Sequence, residues 1–426
     1  MVEILCQRGL NLNDRSANPC PVLGDRSCAV DQGPFIFLGQ SSIVNVSQKV
    51  YAVFTEIDVP VTDAFNVTLA ARYEDYGKKV GSTFNPKASV RFEAAKWLTL
   101  RGTVGTTFRA PLPTQVANDS VTALVNIVAA GSNFRSVDVF GNPDNLGPED
   151  AFTYNLGFIV KTGGLNFTTD FFSYDFSDRI TTTPSQAIAN SVITGAGTAG
   201  SAARLANCAS PNVSLITFQG GCVQGVTTGG DISRIRTQTV NGPGIKTNGL
   251  DFALDYRFDA GPGVATVGGS ATVILKYNVE DFLLNGLVLQ AGYKALGFTN
   301  YDRDPGTVSK YRGSAYVNYN VSNLNARYVF RYASSAKDNR CPPRPGVCAT
   351  TEFGTTDFGR KVRAYTQHDF NLTYDLKLAS SDVQIQASVE NIFDRDPSAA
   401  RLELSYDPFF GNPLGRTFRL GLKAGF

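Results

Sequence analysis

A chain of 426 residues with 39 basic and 37 acidic side chains, a net charge of +2 and a mean hydropathy of −0.10 lacks two things. It has no global field to gather nucleic acid, and no apolar run long enough for a helical membrane span. Charged residues are only 18%, glycine (41), phenylalanine (29) and tyrosine (17) are abundant, and the single histidine removes enzyme classes that need an imidazole pair, so the chain reads as all-β and as a non-enzyme.

In chain order, Met1–Gly9 lacks the basic start, apolar centre and small-residue cleavage site of a signal peptide. Residues 1–46 are expected to be part of an external loop. Strands are then predicted at about Gln48–Val59, Phe65–Tyr76, Asn85–Glu93, Leu98–Arg109, Phe152–Lys161, Leu165–Asp178 and Leu250–Asp259. Further strands are predicted at about Val264–Tyr277, Lys310–Val321, Leu324–Ala333, Phe370–Leu378, Val383–Glu390 and Thr417–Phe426. Each alternates an apolar with a polar face. Leu250, Phe252, Leu254, Tyr256 and Phe258 oppose Asp251, Ala253, Asp255, Arg257 and Asp259. In the last strand Phe418, Leu420, Leu422, Ala424 and Phe426 oppose Thr417, Arg419, Gly421, Lys423 and Gly425. Runs of this length exceed the usual five or six residues of soluble strands. They suit an antiparallel up-and-down barrel with lipid outside and water or a plug inside.

The connections carry an independent signal. Short ones at 60–64, 93–97, 161–164, 259–263, 321–323 and 379–382 alternate without a break with longer segments starting near Asp75, Ala110, Arg179, Asn278, Ser334 and Asp394. A sandwich has no reason to put every long loop at one end, whereas outer-membrane barrels have short periplasmic turns and long extracellular loops. The last strand then descends.

Cysteines fall outside these strands. Cys20 with Cys28, Cys208 with Cys222, and Cys341 with Cys348 each make a close pair within an external segment, which fits local disulfides in an oxidising compartment. Cys6 is left over, either free or bonded elsewhere.

The region from Ser47 to Phe426 resembles the barrel of the TonB-dependent receptors of Gram-negative outer membranes. Thr107–Pro111 (TFRAP), Leu156–Ile180, Ala387–Pro397 (ASVENIFDRDP) and the closing Gly415–Phe426 carry the likeness. It implies a barrel of about 22 strands closed by a plug, of which this chain would hold thirteen or fourteen. About nine strands, the plug and the TonB box would be absent, and the topology asks for an odd number of missing strands. The resemblance further implies uptake of a scarce ligand (a metal-siderophore, cobalamin or glycan), driven by TonB through the N-terminal plug region. Phe418, Leu420, Leu422 and Phe426 resemble the signal read by the barrel-assembly machinery, although Phe426 is also explained as a lipid-facing aromatic. Outer-membrane lipid is the surrounding partner, and neither a cofactor nor nucleic acid is expected. A passive, porin-like channel is the alternative, and a soluble β-rich binding protein a third reading.

Inward-facing charges are expected at Arg72, Glu74, Lys87, Arg91, Glu93, Arg101, Arg257, Arg312, Arg327, Arg331, Asp375 and Arg419. Arg72, Arg91, Arg101, Arg257, Arg327, Arg331 and Arg419 are the candidates for facing a lumen or plug, against the plainer reading of a water-facing wall balanced by acids. Loop aromatics such as Phe134, Phe140, Phe353, Phe358, Phe409 and Phe410 could stack on a ligand or pack loop against loop.

Gly195–Gly200 matches GxGxxG, but no acidic residue follows near 20 positions on and no βαβ frame surrounds it. A small helix in an external loop is the expectation there. Asp302–Pro305 lacks the spacing of a calcium loop and reads as a solvated turn.

Overall fold

The computed structural model of the chain describes residues 40–41, 46–117, 120–131, 133–195, 201–301, 303–339, 361–378, 381–400, 405–408 and 410–425. Thirteen strands form one antiparallel ladder in chain order. They are β1 (Tyr51–Thr62), β2 (Phe65–Asp75), β3 (Ser82–Ala95), β4 (Leu98–Arg109), β5 (Glu149–Thr162) and β6 (Leu165–Ser177), then β7 (Ile245–Ala260) and β8 (Gly263–Val279). The ladder continues through β9 (Tyr311–Val321), β10 (Leu324–Ala333), β11 (Tyr365–Leu378), β12 (Ser381–Glu390) and β13 (Thr417–Gly425). A short segment, Tyr293–Lys294, adds to the loop end of β8. The predicted alternation forms this sheet because period two puts every apolar residue on one side and every polar one on the other.

Tight turns at one rim keep neighbours in register. Thr62 Oγ1 accepts the N–H of Phe65 at 3.0 Å between β1 and β2. Gly163 and Gly261, in the β5–β6 and β7–β8 turns, take φ of 55° and 60°, where a Cβ would be strained. The sheet is open: among the described residues no ladder joins β1 to β13, and all twelve residues of β1 are exposed.

The long loops at the other rim are folded rather than irregular. The β4–β5 loop supplies a hairpin of Ser120–Ile127 and Asn133–Phe140. The β6–β7 loop supplies Ile232–Gly242, which runs parallel to Asn133–Phe140 with Val137 opposite Ile235. Arg179–Thr182 pairs with Ile232–Gly242, and helix α1 (Ser185–Val192) packs on the sheet. Ile127, Val137, Ile188, Val192, Ile232 and Ile235 form the core of this cap, none more than 3% exposed. A disulfide joins Cys208 to Cys222, with Cα atoms 5.7 Å apart. Cys6, Cys20, Cys28, Cys341 and Cys348, and most of the expected external loop at 1–46, lie outside the described residues.

Residues 196–200 of the GxGxxG stretch lie outside the described residues. The helix lies upstream of the GxGxxG stretch, starting after Pro184 and ending at Val192. Residues 201–206 are not helical, because the segment 227–230 takes their hydrogen-bonding groups. Ala206 donates to Thr227 O at 2.8 Å, Arg204 O accepts from Gly229 at 2.9 Å, and Leu205 bridges to Thr228.

Candidate functional site

Cross-strand partners share a face of a sheet, so the register locates every charged side chain. Arg72 stands opposite Asn85, Arg91 opposite Arg101, Arg101 opposite Gly157, and Gly157 opposite Asp170. Asp170 stands opposite Asp251, and Arg257, six residues along from it, opposite Thr266. Thr266, Asn318, Arg327, Asn371, Ser388 and Arg419 continue the same row to the last strand. Arg72, Arg91, Arg101, Arg257, Arg327, Arg331 and Arg419 therefore occupy one polar face. Lys87, Arg312 and Asp375 lie on it too.

Most of these charges are matched within the wall. Arg72 pairs with Glu74, Arg331 with Asp369, Arg91 with Glu93 at 2.6 Å, and Arg419 with Glu390 at 2.9 Å. Arg327 lies over the ring of Tyr316, 4.1 Å from its centroid. The opposite face is apolar and bare: Phe418, Leu420 and Leu422 are 73%, 83% and 73% exposed. Phe426 lies outside the described residues.

Arg109, in the TFRAP stretch, shares the parity of Arg101, which the sequence pattern alone could have used to find it. It holds Glu149 at 2.9 and 2.7 Å and donates to Ile180 O at 3.1 Å, tying the cap to the wall.

Where the cap meets the β8–β9 loop, a cleft of about 570 Å³ opens at the loop end. Its chemistry is mixed: Arg179 and Arg303 supply positive charge, Glu280 and Asp304 negative charge, and Phe282, Tyr293 and Tyr301 ring faces. The Arg303 guanidinium sits 3.8 Å from the centroid of Tyr293, and Arg179 lies 3.9 Å from Asp304. Tyr301 donates to Asp407 at 3.1 Å. Burial, and next the charge of Asp407, push its phenol above the usual tyrosine range, so it remains a hydrogen-bond donor at neutral pH. Such a cleft can bind a polar ligand that carries both flat rings and anionic groups. Among the described residues no cluster of His, Cys, Asp and Glu could hold a metal ion.

Apart from Arg303 and Asp304, read from sequence as part of a solvated turn, none of these cleft residues was singled out, because they belong to loops without periodicity. Asp302 of that stretch lies outside the described residues, and Arg303 and Asp304 line the cleft. Of the loop aromatics, Phe410 packs loop on loop, 4% exposed among Val362, Tyr365 and Ala400. Phe140 carries the Arg236 guanidinium at 4.2 Å, and Phe134 is half exposed. Phe353, Phe358 and Phe409 lie outside the described residues.

The family model described as "TonB dependent receptor-like, beta-barrel" matches residues 14–392. The iron-regulated outer membrane virulence protein of Vibrio cholerae is 32% identical over 142 residues, which are 33% of this chain and 20% of that protein. A probable TonB-dependent siderophore receptor, PirA of Acinetobacter baumannii, is 24% identical over 135 residues, 32% of this chain and 18% of that protein. Among solved structures, the siderophore receptor PirA from Acinetobacter baumannii aligns with a TM-score of 0.56 at 18% identity, covering 88% of this chain and 46% of that one. A mutant ferric enterobactin receptor of Pseudomonas aeruginosa, in complex with enterobactin, aligns with a TM-score of 0.57 at 16% identity, covering 89% and 46%. The chain thus spans less than half the length of these solved receptors, and the structural likeness concerns the fold.

Proposed function

The chain belongs to the TonB-dependent receptor family of outer-membrane β-barrels of Gram-negative bacteria, and on that premise we propose that it serves uptake of an iron-siderophore complex captured at the loop end. The observation that carries this reading is the cleft, with guanidinium groups and ring faces side by side above the polar wall. An iron-siderophore complex bearing flat chelating rings and anionic groups would set its rings on Phe282 and Tyr293 and its anionic groups on Arg179 and Arg303, with Glu280 and Asp304 balancing those cations in the free cleft; a neutral glycan offers neither rings nor anions. Residues 47–426 would form barrel wall and loops, residues 1–46 an external segment, and the paired charges from Arg72 to Arg419 the water-facing lining. Coupling to TonB, and assembly by the barrel-assembly machinery through Phe418, Leu420, Leu422 and Phe426, belong to the same proposal. The names of the relatives, receptors for siderophores and not enzymes, support it.

Equilibrium binding of radiolabelled ferric enterobactin, cyanocobalamin and maltohexaose to the detergent-purified chain tests it. Saturable binding of the ferric complex alone, weakened by Arg179→Ala with Arg303→Ala, is the expected result. Equal binding of all three, or binding indifferent to both substitutions, overturns the choice of ligand. Steady ohmic conductance in a planar bilayer would instead favour a passive channel.

A further inference from the structure

The apolar face of the last strands ends, toward the loops, in a band of rings. Tyr328, Phe330 and Tyr332 on β10 stand opposite Phe370, His368 and Thr366 on β11. Phe393 meets the His368 ring edge-on at 4.8 Å between centroids, and the Tyr328 hydroxyl shares a hydrogen bond with His368 Nδ1. Phe393 and Phe418 are 69% and 73% exposed. In membrane barrels, ring belts of this kind sit at the level of lipid headgroups.

Two arginines are fixed at the loop side of that band. Arg395 donates to Thr366 Oγ1 at 2.7 Å and to Ala364 O at 2.9 Å, and Arg416 donates to Ile392 O at 3.3 Å. Among the described ion pairs Arg416 meets Asp394 at 3.9 Å and Arg395 meets no carboxylate. The turn that carries Arg395 is held in place. Asn391, 1% exposed, bonds both the N–H and the C=O of Arg395 at 2.9 Å, and its own N–H reaches Asp369 Oδ1 of the wall at 2.9 Å. Among the described residues, Asp394 and Asp396 offset these two charges, and exposed Arg363, whose carbonyl accepts from Ser398 Oγ of the same loop at 2.9 Å, adds a positive one, with Lys361 two positions before it. Pinned guanidiniums above a ring belt match a phosphate entering from the lipid side, since their planar forks grip phosphate with two hydrogen bonds.

We propose that Arg395 and Arg416 bind the phosphorylated headgroup of a lipid of the outer leaflet, whose acyl chains lie over Phe393, Phe418, Leu420 and Leu422. The site is on the opposite face of the wall from the polar row and apart from the cleft, so it stands or falls independently of the siderophore reading.

The test uses the full chain in neutral detergent micelles, with diphosphorylated lipid A as probe, and its enzymatically dephosphorylated form and inorganic phosphate as controls. Lipid bound per protein is read by native mass spectrometry, with heat-modifiable migration as the measure of folding. Diphosphorylated lipid A should bind saturably. The double variant Arg395→Gln with Arg416→Gln should bind it about tenfold more weakly, the loss of one or two charge-assisted hydrogen bonds. Arg395→Lys with Arg416→Lys should fold like wild type and recover part of the affinity. Equal binding of the phosphorylated and dephosphorylated lipids overturns the proposal. So does an affinity unchanged in the folded Gln variant, or competition by millimolar inorganic phosphate as strong as that by the lipid.

Discussion

Arg101 on β4 and Asp170 on β6 form an ion pair across an intervening strand, with Arg101 Nε donating to Asp170 Oδ1 at 2.8 Å. The residue between them is Gly157 on β5, where a Cβ would overlap the Asp170 carboxylate. The same device recurs where Tyr316 on β9 reaches Asp255 on β7 over Gly268 of β8. Gly157→Val should therefore break the pair and overpack the wall, costing roughly 1–3 kcal/mol. Gly421→Ala, where only Gln386 side-chain atoms lie near, at 3.8 Å, should cost far less. Urea unfolding of both variants in phospholipid vesicles, followed by heat-modifiable migration, compares them.

The two faces of β13 predict opposite tolerances. Leu420→Arg places a charge on the bare apolar face and should cost about 2–4 kcal/mol at mid-depth in a bilayer. Gln386→Arg, on the polar face of β12, should change stability by less than about 0.5 kcal/mol. Equal costs in a vesicle-folding titration would contradict the assignment of lipid to the face of Leu420.

Reduction of Cys208–Cys222 should loosen the cap and leave the wall intact. A cross-link across 14 positions constrains the unfolded chain by about 3 kcal/mol in the chain-entropy account. Hydrogen exchange should rise in Ser185–Val192 and Ile232–Gly242 after dithiothreitol while β7 and β8 keep their protection. Uniform loss of protection would show that cap and wall melt as one unit.

Tyr301 predicts an alkaline effect with a definite sign. Its phenol titrates above its ordinary value of 10.0, raised by burial and by Asp407. A raised value in the folded state means the contribution is whole below pH 10 and is lost as pH climbs from there toward the folded value. Melting temperature measured from pH 8 to 12 should fall more steeply for the wild type than for Tyr301→Phe above pH 10. Parallel curves would remove Tyr301 as the source.

The wall was legible in the sequence because its information is local. Alternation from Leu250 to Asp259 names strand, faces and depth without reference to any partner, and the parity of Arg72, Arg101 and Arg331 was enough to place them together. The cap was not legible, since it is assembled from non-local pairs: Val137 meets Ile235 in a parallel ladder between different loops. Neither segment announces the other. The cleft failed for the same reason, with Arg179, Tyr293 and Arg303 converging from separate stretches whose residue types are ordinary for loops.

The shared core of the cap has a mechanical consequence. Because Ile127 and Val137 of one loop are buried with Ile188, Ile232 and Ile235 of the other, neither loop can lift alone without baring that core to water. The two loops therefore form a single unit carried on two pairs of chain crossings, and Arg109 ties one of these to the wall.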